Sequence, residues 1–547
     1  MTKKGKLEKL TGGQATVRSL IKAGVKQIYG LPGVQNDWLY NALYDYRDEI
    51  KVIHTRHEQG AGYMALGHYL ATGEQSVYNI VPGPGFLNSC GALSTIWGLN
   101  AKTLCLVGQI PKKVQGRGLG VLHEIPDQMG IMQRLTKWSA KVDSPNAAPM
   151  VIAEAFEQMH SGRPRPVGVE VPMDVLSATE EVSFDKFDII PEVETVNEDD
   201  LSAAVDLIKA ANNPLVFVAG GAMHASAEVI AFVEHLQAPV FAYRTGKGIV
   251  PSSHYLSYPV PAAHSLWADC DLCIAIGSHA RMPLMKWGQD DKLKFLTINI
   301  DEEAQDKMRQ PDVAITADSK VALSLLNSKL KEAFDQRPSK EAEMIKFAKG
   351  WSEQTAYLEP QNSYLKLIRD ELPEDGIFVD ELTQVGFASR ISWNTELPRT
   401  YLCTGHMGTL GWGFQTALGA KAARPDATVI SVAGDGGFMF GVQELATAVQ
   451  HKLGVIIILF NNNLFGNVRS MQEDLYDNRV IATDLHNPDF VKMAHAFGAH
   501  STRVKDMDGL RKAIRAAKGE ELPTLIEVPV GNDWPSTNRF KALPKVR

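Results

Sequence analysis

At 547 residues the chain is too long for one hydrophobic core and calls for three or four compact units. Its 44% apolar and 22% charged residues are the usage of an ordinary globular protein, which excludes a disordered or fibrous chain. A formal net charge of −7 with no long basic run lacks the electrostatic footprint of a nucleic-acid binder.

The opening segment MTKKGKLEKL is charged and has no apolar core of signal-peptide length behind it, and no apolar stretch reaches about 18 residues. A cytoplasmic protein without a membrane partner is expected. Five cysteines, Cys90, Cys105, Cys270, Cys273 and Cys403, are an odd number scattered over a long chain, which argues against a disulfide framework. Cys270 and Cys273 have CxxC spacing, but they lie in an apolar run that reads as a buried strand, and no second pair completes a zinc site.

Along the chain, short apolar runs end in Gly or Pro and are followed by helical patterns: SVYNIVPGPG, TLCLVGQIP, PLVFVAGGA, LCIAIGSHA, TVISVAGDGG and GVIIILFNNN. Strands buried on both faces of a parallel sheet read this way. The acidic stretch EEVSFDKFDIIPEVETVNEDD and the charged stretch LKEAFDQRPSKEAEMIKFAKG interrupt the pattern. They divide the chain into α/β pieces at 1–180, 190–335 and 355–547, with no sequence repeat among them.

The segment GDGGFMFGVQELATAVQHKLGVIIILFNNNLFGNV carries the most chemistry. Gly434, Asp435, Gly436 and Gly437 follow a strand, and the 24 residues between Gly436 and Asn461 leave room for a helix and a second strand. Mg²⁺ prefers oxygen ligands in near-octahedral array and shares its shell with phosphates and water. Asp435 offers a carboxylate oxygen, Asn462 an amide oxygen and Leu464 a backbone carbonyl, which leaves positions for two diphosphate oxygens and a water. The glycines let the backbone approach phosphates closely. Either half alone is an ordinary turn; the pair at this spacing points to a metal and diphosphate site.

This pairing resembles the thiamine-diphosphate motif. Together with RHEQGAGYMALG, VPGPGFLN and GHMGTLGWGFQTALGA, in the family's order, it makes nearly the whole chain similar to the acetolactate synthase, benzaldehyde lyase and related decarboxylase group. The resemblance implies an α/β fold of three doubly wound parallel-sheet domains, pyrimidine-binding, central and diphosphate-binding. It implies thiamine diphosphate and Mg²⁺ as cofactors, held between subunits of a homodimer or homotetramer.

Carried over residue by residue, Glu58 matches the activating glutamate, which in an apolar pocket keeps a proton available for the pyrimidine N1′. As a lone charged residue it would read as a solvated helix start. Leu410 matches the bulky apolar side chain that holds the cofactor bent, and by periodicity it reads equally as a core leucine. His406, Met407 and Gly408 resemble the stretch on the diphosphate, with Thr383 and Gln384 as weaker additions and Phe465 and Gly466 just beyond the Asn pair. Pro82, Gly83 and Asn88, and Pro32 and Gly33 after the first strand, correspond to loops close to the cofactor.

The resemblance implies a lyase or carboligase that acts on 2-oxo acids or aldehydes through a C2 ylide and an enamine. Alternatives are a decarboxylase of 2-oxo acids or acyl-CoA that does not ligate, and a catalytically silent cofactor-binding protein. A nucleotide-binding oxidoreductase predicts a GxGxxG opening a helix, and none is convincing. Acetolactate synthases carry a Trp where this chain has Met471, which weakens that assignment. Glu124 aligns with their catalytic-loop Gln, while His123 aligns with the equivalent Gln of benzaldehyde lyase and is a candidate proton shuttle near neutral pH, or a surface histidine. VAGGAM and AIGSHARMP resemble segments that hold FAD or ADP in some relatives, but the acidic pair of the flavin-binding form is missing, which tips the reading against FAD or ADP.

Overall fold

The computed structural model describes residues 7–192 and 195–547. The first six residues of the N-terminal segment and positions 193 and 194 of the acidic stretch, both read above, lie outside the described residues. Three six-stranded parallel sheets follow one another along the chain, each flanked by helices, so the fold is α/β. The apolar runs singled out above are their strands: Ser76–Ile80, Pro214–Val218 and Leu272–Ile276 are buried at every position. Each such Val, Leu or Ile stabilises the fold by roughly 1.5–3 kcal/mol relative to exposure.

In the N-terminal sheet the strands lie side by side as Lys51–His54, Gln27–Gly30, Ser76–Ile80, Thr103–Gln109, Val167–Pro172 and Trp138–Lys141. In the C-terminal sheet the order is Tyr401–Leu402, Ile377–Val379, Val429–Gly434, Ile456–Asn461, Thr524–Pro529 and His500–Arg503. Numbered from its own first strand, each sheet reads 2-1-3-4-6-5. The two units therefore share a topology that no sequence repeat announces. The central sheet reads 3-2-1-4-5-6, with Pro214–Val218 first.

The first and third strands of each outer sheet are neighbours whose connections leave in opposite directions. At such a switch point the loops beyond the strand ends part and open a crevice, where open α/β sheets bind ligands. In the N-terminal sheet these loops are Leu31–Gln35 and Val81–Gly83; in the C-terminal sheet they are Asp380–Thr383 and Gly434–Gly437.

The outer units are joined by the helices Glu58–Thr72 and Trp412–Ala423, and one apolar cluster runs through both, from Tyr29 and Tyr63 to Trp412 and Leu459. The strand Thr179–Val182 returns to pair antiparallel with Glu8–Thr11. The charged stretch after residue 335 contains a helix of its own, Glu341–Thr355. All five cysteines are free thiols. Among the described residues no helix is long and apolar enough to cross a membrane.

Candidate functional site

Buried amides brace the switch point of the N-terminal sheet. Asn36 accepts from the Gly33 amide at 2.7 Å and donates to Asn79 Oδ1 at 2.8 Å, which sets the corner containing Pro32 and Gly33. Gln128 accepts from the Gly83 amide at 2.8 Å and donates to Glu170 at 2.8 Å, which sets the corner containing Pro82. Burial pushes the Glu170 carboxyl above the ordinary carboxylate range. Gly83 has φ 61°, and a Cβ there would lie 2.3 Å from the His123 carbonyl, so only glycine permits this approach.

Glu58 opens the helix Glu58–Thr72 and is 9% exposed, unlike the solvated helix start that its charge alone suggests. The His57 ring caps this helix by accepting from the Gln59 amide at 3.2 Å. Asn88 donates to Glu58 Oε2 at 3.1 Å. His123 Nδ1 meets Gln35 Oε1 at 2.7 Å. Glu124 is engaged differently: its two oxygens accept from the Gly118 and Val121 amides, each at 3.1 Å, and clip the loop that carries His123.

At the C-terminal switch point Asp435 is 2% exposed and accepts from Asn487 Nδ2 at 2.6 Å. Burial raises the Asp435 carboxyl from its ordinary value, and the Asn487 bond opposes the rise. Beyond the neighbouring strand, the Phe465 amide donates to Thr483 and the Leu485 amide to Asn463, each at 2.8 Å. Leu464 is thus held between two ladder bonds next to Asn462. A Cβ on Gly436 would lie 2.5 Å from the Phe465 ring, and one on Gly466 would lie 3.3 Å from Asn462 Nδ2. An open cavity of ≈ 420 Å³ is lined by Gly436, Met439, Phe440, Phe465 and Leu485 to Pro488.

Beside Gly437 and Thr383 lies Glu381, a carboxyl that sequence reading did not single out. It accepts from the Leu382 amide at 2.9 Å and the Gly413 amide at 3.0 Å, and burial pushes its pKa up to about 8. The Leu410 side chain packs over Gly437, Thr383 lies against Gly434, and Thr383 also caps the helix that begins at Gln384. His406, Met407 and Gly408 are exposed, and Gly98 of the N-terminal unit sits against the first two. Partial burial and the cations Arg281, Arg244 and Arg163 hold the His406 ring below its ordinary pKa.

The residues fit a Mg²⁺–diphosphate group. One buried carboxylate, one amide and one carbonyl form a hard-oxygen set that suits Mg²⁺ and leaves room for phosphate oxygens, and the cradle beside them is one that a Cβ at Gly436 would fill. The structure gathers the candidates into two clusters, Glu58 with Asn88, Pro82, Gly83 and His123, and Asp435 with Gly436, Asn462, Leu464 and Phe465. Among the described residues no hydrogen bond or ion pair joins Glu58 to Asp435 or Asn462. A larger cavity of ≈ 660 Å³, lined in part by Lys247, Trp351 and Trp393, shares no residue with either cluster.

Three stretches match family models in succession: the thiamine pyrophosphate enzyme N-terminal TPP binding domain over residues 10–131, the central domain over 201–326, and the C-terminal TPP binding domain over 383–528. Similar proteins include a probable 2-ketoarginine decarboxylase of Pseudomonas aeruginosa, 31% identical over 95% of this chain and 94% of its own length. The acetolactate synthase large subunit of Corynebacterium glutamicum is 31% identical over 96% of this chain and 88% of its own length. A probable acetolactate synthase large subunit of Methanocaldococcus jannaschii is 30% identical over 95% and 92%. The fold and these matches define a three-unit α/β cofactor-dependent enzyme. The chain belongs to the thiamine pyrophosphate enzyme family and is a thiamine-diphosphate-dependent enzyme of the acetolactate-synthase-like kind.

Proposed function

We propose that the enzyme makes or breaks a carbon–carbon bond beside the carbonyl of a small 2-oxo acid or aldehyde, with thiamine diphosphate and Mg²⁺ held between the N-terminal unit of one subunit and the C-terminal unit of another. The observation that carries this reading is the pair of switch points of identical topology, one presenting Glu58 and the other Asp435 and Asn462, left unjoined within one chain. A homodimer, or a homotetramer of two such dimers, joins them. Exposed apolar residues beside each cluster support a second copy as the cover: Leu119 and Leu122 near His123, and Val468, Met471 and Leu475 on the helix Gly466–Leu475, which buries no residue in the single chain.

Asp435, Asn462 and the Leu464 carbonyl would hold Mg²⁺. Gly434, Gly436 and Gly437, with His406 to Gly408, Thr383, Gln384, Phe465 and Gly466, would form the diphosphate wall, and Leu410 would support the bend. When bound, thiamine diphosphate supplies a nucleophilic carbon and an electron sink for the bond that breaks. Glu58 keeps a proton at the pyrimidine N1′, oriented by Asn88, and His123 moves a proton at the substrate oxygen. The central corners pack glycine on glycine, a Cβ on Gly221 falling 2.7 Å from the Gly277 Cα, which accounts for both glycines; we assign no FAD or ADP there.

Carboligation follows the acetolactate synthase relatives. Decarboxylation without ligation is favoured by the 2-ketoarginine decarboxylase relative and by Met471 in place of a Trp wall. The test incubates enzyme, thiamine diphosphate and Mg²⁺ with pyruvate, glyoxylate, benzoylformate, a basic 2-oxo acid and aldehydes. CO₂ with a hydroxyketone supports ligation, and CO₂ with a simple aldehyde supports the second reading. No turnover of any, with cofactor bound, overturns the substrate class.

A further inference from the structure

The loop that carries His123 contains three glycines in the left-handed region, Gly116 (φ 70°), Gly118 (φ 61°) and Gly120 (φ 68°), with open space where a side chain would be. Its end is nevertheless fixed. His123 itself has φ 69°, a conformation that costs a non-glycine residue steric strain and persists where surrounding contacts determine it. Those contacts come from Gln35, which is 3% exposed beneath the loop.

Gln35 Nε2 donates to the Leu122 carbonyl at 2.9 Å, and Gln35 Oε1 meets His123 Nδ1 at 2.7 Å. A backbone carbonyl only accepts, so it fixes which way the amide points; the reverse orientation would set two carbonyl oxygens against each other. The amide oxygen that faces the imidazole also only accepts, so Nδ1 must carry a hydrogen. In the neutral ring Nε2 then keeps its lone pair, and it has no hydrogen-bond partner among the described residues.

We propose that Gln35 is a positioning residue that locks His123 as the Nδ1–H tautomer and so makes Nε2 the proton acceptor at the N-terminal switch point. The inference rests on the reading of His123 as the group that moves a proton at the substrate oxygen. In that step the substrate O–H bond breaks, its hydrogen passes to Nε2, and the imidazolium retains its other hydrogen on Nδ1 against Gln35. The device was hidden in LPGVQND, where a Gln after a Gly/Pro corner reads as a turn residue.

The experiment is ¹⁵N solid-state NMR of holoenzyme labelled with ¹⁵N-histidine at pH 8, with His123 assigned by difference from His123→Gln, combined with a kinetic double-mutant cycle. Wild type is expected to show a protonated Nδ1 and a bare Nε2. Gln35→Leu is expected to lose that preference and to lower kcat by roughly 10- to 100-fold with KM changed little. In the His123→Gln background the same substitution should have almost no further effect. A bare Nδ1 in the wild type overturns the proposal, as does a full additional loss in the double variant. If Gln35→Leu does not fold, Gln35→Met, which keeps the length of the side chain but neither amide bond, must lose the Nδ1–H preference. A wild-type rate for His123→Gln with the tautomer intact would instead remove His123 from the reaction and leave the lock standing.

Discussion

Asn487 Nδ2 donates to Asp435 Oδ2 at 2.6 Å and lies 3.3 Å from Asn461 Oδ1 and 3.1 Å from Asn463 Oδ1, so one amide ties the buried carboxylate to the Asn turn across the neighbouring strand. It orients Asp435, the proposed metal ligand. Partners of this kind typically change metal affinity by about 10–100-fold when removed. Asn487→Ala is expected to raise the Mg²⁺ concentration for half-maximal activity by that factor at unchanged saturating rate. Asp435→Ala should abolish Mg²⁺-dependent cofactor binding altogether. Mg²⁺ titrations of turnover and of cofactor binding by calorimetry check both.

Among the described residues Glu58 receives one side-chain hydrogen bond, from Asn88. Glu58→Gln preserves the shape and the bond but cannot supply the proton, so turnover is expected to fall by about 10²–10⁴-fold, the usual share of a positioned acid or base. The melting temperature should barely move. Asn88→Ala removes only the orientation, and a smaller loss is expected. Steady-state rates and hydrogen–deuterium exchange at the C2 carbon of the bound cofactor separate the two, since a merely structural Glu58 would leave exchange unaffected.

The legible parts of the fold were those set by local chemistry. Runs such as VIIILF are apolar at every position because both faces of a parallel strand are covered, so their type and place could be read directly. Asp435 and Asn462 stood out in the sequence because a metal and a diphosphate would demand particular residue types at fixed separation. The common 2-1-3-4-6-5 topology of the outer sheets was not, since strand order is decided by which edges pair and leaves no mark within any one strand. The polar braces were also invisible, the buried Gln35, Asn36 and Gln128 and the half-buried Asn487 alike: their amides stand in Gly/Pro-rich or turn-like segments where such residues ordinarily face water. The alignment that made Glu124 a candidate gave no sign that its carboxylate accepts from the Gly118 and Val121 amides of its own loop.

Contact between the outer units depends on glycine at two positions. A Cβ on Gly67 would lie 2.0 Å from the Thr416 carbonyl, and one on Gly419 would lie 1.9 Å from the Met64 carbonyl. Both obstacles are backbone, so neither can rotate aside. Gly67→Ala and Gly419→Ala are each expected to destabilise the protein by at least the 1–3 kcal/mol typical of overpacking. An alanine at either position should lower the melting temperature and weaken cofactor binding, because the helix that is displaced begins at Glu58. Ser94→Ala, at a half-buried position on the helix Pro84–Gly98 where the hydroxyl bonds only to the Gly91 carbonyl of its own helix, serves as the control and should be nearly neutral.

Glu381 gives the stability a definite dependence on pH. Burial raises its pKa from 4.5 to about 8, so between those values the folded protein holds a proton that the unfolded chain releases. Stability associated with this group is therefore fully present below pH 4.5, declines as pH rises through the window, and levels off above pH 8. Glu381→Gln cannot ionise. It also presents an NH₂ group to one of the two amides that Glu381 accepts from, a penalty that does not vary with pH. The absolute melting temperature of the variant is thus uninformative, and its slope is decisive. Relative to wild type, the variant's melting temperature is expected to climb between pH 5 and pH 8 and to run parallel above it, in calorimetric scans of the cofactor-free protein. A constant offset across the whole range would mean that Glu381 is ionised in the fold at neutral pH, and the wall beneath Gly437 would then carry a negative charge where a diphosphate is to bind.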